Sequence, residues 1–185
     1  AILLMLTGVG TVLYALTVLA QAVIQSELIE AYSLRRKLKD MEKLQGHYIV
    51  CGAGRVGRRI IRNLQRQDLP FVVIENDERK LSDLESEGSR FLIGDATSEA
   101  NLLAAGVERA RGLATCLADD AANVYVVLTA RGLNPGLHIV ARAVEEQAEP
   151  TLIRAGANRV VAPTIIGSQS MARATRWPWL PTEAI

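Results

Sequence analysis

Apolar and polar positions divide the 185-residue chain into three regimes. From Ala1 to Ile24 there is no charged residue, and the stretch is predominantly apolar. As a helix these 24 residues reach ~36 Å, against a bilayer hydrocarbon core of ~30 Å. The pattern predicts a membrane-spanning helix over 1–25, with some tilt. A secretory leader fits badly, because there is no basic start and no break into a mature chain. Over 26–46, Leu28, Tyr32, Leu34, Leu38, Met41 and Leu44 recur at helical spacing among polar residues. No Pro or Gly interrupts that stretch before Gly46, so a stiff helical linker is expected. Beyond Gly46 the apolar runs shorten. Strands are predicted at 47–51, 70–75, 90–93, 112–117, 137–141 and 158–162, with helices at 55–67, 78–87, 98–105, 119–131 and 146–155. Such alternation predicts an α/β domain over 47–163, built on a six-stranded, doubly wound parallel sheet. Residues 164–185 read as the start of a crossover helix and a tail broken at Trp177-Pro178-Trp179.

Charge sharpens this division. Lys and Arg number 21 against 20 Asp and Glu, and aromatic residues are 4% of the chain, which argues against nucleic acid as a partner. The apolar span has a basic flank, Arg35, Arg36, Lys37 and Lys39. By the positive-inside rule that flank places the C-terminal side in the cytoplasm, with the chain in the cell membrane. Gly8 and Gly10 suit either close packing on a neighbouring helix or a bending point. The chain opens inside the apolar run and without Met, so a longer parent protein is expected.

The densest chemistry follows the first strand. Gly52-Ala53-Gly54-Arg55-Val56-Gly57 lies between a strand and a helix, and a second strand ends in Glu75, 18 residues after Gly57. Strand, glycine turn, helix and terminal acid together form a dinucleotide fingerprint, and the sheet is expected to be of Rossmann type in the order 3-2-1-4-5-6. Gly52 permits the tight turn, Gly54 the approach of a pyrophosphate, and Gly57 the packing of helix on strand. The helix N-terminus offers N–H groups to phosphate. Glu75 suits ribose hydroxyls and repels a 2′-phosphate, favouring NAD or an adenosine ligand over NADP; Arg79 and Lys80 leave that preference open. Asp95, after the third strand, is expected on the adenine side. The same glycines also serve a sheet that keeps them for packing alone.

No catalytic residue is assigned. Only 23 residues follow Ala162, too few for a substrate domain, and no metal-ligand spacing of Cys or His occurs. His47 and His138 fall at strand starts, the wrong edge for catalysis, and read as structural. Cys51 and Cys116 lie on strands expected to be neighbours, either as small buried residues or as a redox-sensitive pair. Two cysteines exclude a disulfide scaffold. Gly106 and Gly156 read as helix C-caps.

Taken together, the apolar helix with Gly8-Val9-Gly10-Thr11, the linker, HYIVCGAGRVGRRI, GDAT and RAGANRVVAP closely resemble the RCK potassium channels, related to Trk- and Ktr-type potassium-transport regulators. The resemblance runs from about Leu3 to Ala172. It implies that the first helix lines a pore and bends at Gly8. It implies a lobe that binds NAD(H) or an adenine nucleotide (ATP or ADP) through Gly52, Gly54, Gly57, Glu75 and Asp95, with Arg55 facing the phosphates. Lobes of this family pair and assemble as a homo-oligomeric ring around a tetrameric pore, pulling their linkers when ligand binds. The expected function is therefore a potassium channel subunit in contact with membrane lipid and potassium ions, and not an enzyme. A membrane-tethered regulator of a separate transporter and a membrane-anchored oxidoreductase are the alternatives. Three departures stand out. A TVGYG-like filter is absent, Arg142 and Val144 occupy fifth-strand positions where calcium-gated members carry carboxylates, and the C-terminal ligand lobe of many members is missing.

Overall fold

β1 (Tyr48–Cys51), β2 (Phe71–Glu75), β3 (Arg90–Ile93), β4 (Gly112–Thr115), β5 (His138–Arg142) and β6 (Arg159–Val161) form one parallel sheet in the order β3-β2-β1-β4-β5-β6. This is the arrangement of the computed structural model, which describes residues 10–11, 14, 16–17, 41, 43–80 and 89–175. Among the described residues the α-helices that accompany the sheet are α1 (Arg55–Arg66), α2 (Glu99–Ala104), α3 (Asp120–Leu133), α4 (Glu149–Ala155) and α5 (Pro163–Ala174). The chain divides into two compact units, Ala1–Asp40 and Met41–Ile185. In the first, Gly10, Thr11, Tyr14, Leu16 and Thr17 are helical. The span expected over 1–25, Gly8 included, otherwise lies outside the described residues, as does most of the 26–46 linker. Among the described residues no helix is long and apolar enough to cross a membrane.

Strands buried on both faces read as unbroken apolar runs, and β2 shows why the sheet forms. All five of its residues are buried, Glu75 among them. Helix α1 covers one face of β1 and β2. It turns Ile61 inward, and Ile60 and Leu64 pack against Val50, Phe71, Val73 and Phe91. Each such side chain taken from water contributes ~1.5–3 kcal/mol. Arg59, Arg62 and Arg66 occupy its exposed side.

Several boundaries moved from their expected places, each for a local reason. β4 stops at Thr115 rather than residue 117, because Leu117 gives both its N–H and its carbonyl to the Asn123 side chain. β5 begins one residue late, since the Leu137 N–H is used in a turn to Asn134 O. The helix expected over 146–155 divides into a 3-10 turn, Glu146–Ala148, and α4, whose first turn holds Pro150, a residue with no N–H to give. Of the helix expected over 78–87, the described part is a 3-10 turn, Glu78–Lys80.

The entry into the sheet is firmly tied. Arg109 donates from Nε to Leu44 O at 3.1 Å and from Nη2 to Met41 O at 3.4 Å, and its carbonyl accepts the Gly46 N–H. Met41 is buried, and the fully buried His47 bonds the Ala105 carbonyl through Nε2 at 2.8 Å. His47 is thus structural, as expected, whereas His138 is exposed.

Candidate functional site

In an open α/β sheet the crevice forms at the carboxyl edge, where strand order reverses. Here the reversal lies between β1 and β4. Gly52 directly follows β1, Glu75 ends β2 and Asp95 lies two residues beyond β3, so the fold brings three of the expected residues to one edge.

The three glycines have different physical reasons. Gly52 has φ +94°, and a Cβ there would sit 3.2 Å from Leu117 Cδ2 and 3.3 Å from Cys116 O. A Cβ on Gly57 would overlap the Gly52 carbonyl oxygen. These two positions are required by the protein's own packing. Gly54 is not: its φ is −71°, and a Cβ there would meet nothing within 4 Å. Gly54 therefore borders open space, at the N-cap of a 12-residue helix.

That helix start is equipped for an anion. No side chain caps α1 and its first turn holds no acid. The first intrahelical bond is Arg58 N–H to Gly54 O, and the N–H groups before it point outward with the positive end of the helix dipole. Arg55, the first helical residue, is exposed beside them.

Glu75 is buried yet charged. Its Oε2 accepts the Ala53 N–H at 2.6 Å, and Oε1 accepts the N–H groups of Asn76 and Asp77, each at 3.1 Å, and Lys80 Nζ at 3.2 Å. Burial alone would raise its pKa; the Ala53 and Asp77 N–H groups and the Lys80 ammonium outweigh it and hold the carboxyl below its usual range. Of the two cations left open above, Arg79 pairs with Asp77 through Nε at 3.0 Å, and Lys80 pairs with Glu75. Asp95 is exposed; its Oδ1 accepts the Thr97 N–H at 2.8 Å, and its carbonyl accepts Asn101 Nδ2.

The two cysteines adjoin, Cys116 N–H donating to Cys51 O at 2.8 Å. Both are buried free thiols. Burial, with Cys116 adding to it, pushes the Cys51 thiol up, and burial pushes Cys116 to about 11. Thiols so held are not nucleophiles near neutral pH.

Two residues at this edge escaped the motif reading. Arg58 grips the glycine turn through Ala53 O. Asn123, fully buried on α3, takes the Thr115 hydroxyl and the Leu117 N–H on Oδ1, and gives Nδ2 to Leu117 O and to Arg142 O. It ties the ends of β4 and β5 to α3. The available signal was an amide side chain on the inward face of an apolar helix, four residues after its N-cap Asp119.

Comparison with known proteins gives this geometry a context. The TrkA-N domain family matches residues 48–163. Potassium channel protein 1 of Methanocaldococcus jannaschii is 38% identical over 174 residues, which cover 93% of this chain and 52% of that protein. The chain spans about half the length of that relative and of probable potassium channel protein 2 from the same organism. A GsuK channel bound to NAD is 30% identical with a TM-score of 0.65, over 70% of this chain and 23% of that one. GsuK bound to ADP is 32% identical with a TM-score of 0.64, over 72% of this chain and 35% of that one.

Proposed function

Since the chain belongs to the TrkA-N domain family, we propose that its sheet is the nucleotide-binding regulatory domain of a potassium channel, in which bound NAD(H) or an adenine nucleotide biases the pore. The observation that carries the reading is Gly54: a glycine its own fold does not need, facing open space at an uncapped helix start, with the Glu75 carboxylate on the adjacent strand. NAD and ADP, the ligands of the two GsuK structures, share the adenosine diphosphate half. That half is what this edge suits. Gly52 turns the chain, Gly54 admits the pyrophosphate, Arg55 and the α1 N–H groups face its charge, Glu75 receives the ribose, and Asp95 borders the adenine. The nucleotide is a ligand, bound and released unchanged.

Coupling to a pore follows from linkage. A nucleotide shifts the pore equilibrium by the difference in its affinity for the two arrangements, and by no more. The path out of the sheet is supported by Arg109, which ties Met41 and Leu44 to the 3-10 turn Val107–Arg109 ahead of β4, so a tilt of the sheet carries the linker end with it. Gly8 would be the bending point in a membrane-spanning inner helix, with the sheet on the cytoplasmic side. Large apolar side chains exposed on helices, Tyr125 and Leu128 on α3 and Ile166 and Met171 on α5, support assembly with further copies of the chain. Potassium passes through the assembled pore.

The test is electrical and calorimetric together. ADP and NAD are titrated into the purified chain, and current is recorded from the parent channel in planar bilayers with each nucleotide on the cytoplasmic side. Binding accompanied by a change in open probability is expected. Binding without any change in current would leave a nucleotide domain and remove the gating reading.

A further inference from the structure

Ala53 is held from both sides by oppositely charged side chains. Its N–H donates to Glu75 Oε2 at 2.6 Å, and its carbonyl accepts Arg58 Nε at 3.2 Å. Arg58 also donates from Nη2 to the Lys80 carbonyl at 3.2 Å, and Lys80 Nζ returns to Glu75 Oε1 at 3.2 Å. Glu75, Ala53, Arg58 and Lys80 therefore close a ring. It joins the glycine turn, the end of β2, the 3-10 turn after it and the first turn of α1.

We propose that Arg58 is a positioning residue of the nucleotide site, acting through Ala53 and Lys80 to fix the carboxylate of Glu75. The proposal rests on the nucleotide reading given above. Its physical basis is the fork of the guanidinium, whose N–H groups diverge in a rigid plane and can hold two carbonyls at once. Ala53 lies between the glycine that turns the chain and the glycine that borders open space. Its N–H and its carbonyl belong to successive peptides, so holding the carbonyl through Arg58 steadies the backbone from which the N–H donor orients Glu75. Ordering these groups beforehand removes a cost that the ligand would otherwise bear on binding. Lys80, held at its carbonyl by the same arginine, keeps its ammonium on Glu75 and the carboxylate ionised.

The test compares Arg58→Gln and Arg58→Lys in the full chain with ADP and with inorganic pyrophosphate, by titration calorimetry. Arg58→Gln is expected to weaken ADP about tenfold and pyrophosphate by much less, because its effect runs through the ribose acid. Arg58→Lys, which keeps the charge but not the fork, is expected to recover only part of the loss. In a Glu75→Gln background the Arg58→Gln change should cost less than about twofold, since residues in one network are not additive. In 15N-resolved spectra of unliganded protein the Ala53 amide proton should move upfield in Arg58→Gln. A merely structural role would not single out that amide. Equal losses for ADP and pyrophosphate would make Arg58 a phosphate partner and overturn the positioning role, as would unchanged ADP affinity. Absence of any ADP or NAD binding to the unmodified chain would instead overturn the nucleotide reading itself.

Discussion

The Glu75 carboxylate receives the Ala53 amide at 2.6 Å, so the acid that ends β2 is bonded directly to the turn that follows β1. Removing it releases three backbone N–H groups and the Lys80 ammonium at once. Glu75→Ala is expected to weaken ADP binding by ~1–3 kcal/mol. Titration calorimetry measures this, and an unchanged affinity would place the ribose elsewhere.

The glycines of the turn separate packing from binding. Gly57→Ala drives a methyl group into the Gly52 carbonyl, and should lower stability by more than ~2 kcal/mol. Gly54→Ala meets open space at an ordinary backbone angle, so its stability should stay within about 1 kcal/mol of the unmodified chain. Its ADP affinity should nevertheless fall clearly. Thermal unfolding and calorimetry on the pair decide the matter; a Gly54→Ala protein that binds normally would show that the open space is not used.

Acid should loosen the entry into the sheet. Burial pushes the His47 imidazole below its ordinary value; the Ala105 carbonyl pulls the other way, and Arg109 reinforces burial. The folded protein therefore keeps His47 neutral at pH values where the unfolded chain already binds a proton. Stability then rises with pH up to the ordinary histidine value of ~6.5 and is lost below it. The Glu75 and Asp77 carboxyls are held low, so their contributions are lost only under more acidic conditions. Melting temperature should fall between about pH 6.5 and 5, and His47→Asn should flatten that slope. A slope unchanged in the variant would assign it to another group.

Asn123 bonds the ends of two strands through one buried amide. Asn123→Leu keeps much of its volume but strands the backbone groups of Leu117, with an expected loss of ~2–4 kcal/mol. Chemical denaturation would check it, and a loss under ~1 kcal/mol would mean those groups find other partners.

Arg109→Ala should free the Met41 and Leu44 carbonyls without disturbing the glycine turn. Hydrogen exchange is expected to rise across 41–46 while ADP affinity stays the same. In the parent channel, binding would then be retained with a weaker effect on current. Full gating in this variant would remove Arg109 from the coupling path.

The sequence alone determined whatever local chemistry encodes. Apolar runs of strand length alternating with helical periods gave six parallel strands in the observed order, because a right-handed crossover leaves few other arrangements. Gly52, Gly57 and Glu75 were legible because a turn, a close packing and a strand-end acid each favour one residue type at one spacing, whereas the fold makes no such demand of Gly54. Tertiary structure alone decided how those residues are held. Arg58 and Lys80 are 22 positions apart, His47 and Ala105 are 58, and Arg109 and Leu44 are 65. No period or motif links such pairs; a buried polar group takes whatever partner the packed chain brings within reach. β4 shows both in one element: its start and composition were readable, but its end was set by an asparagine on the following helix.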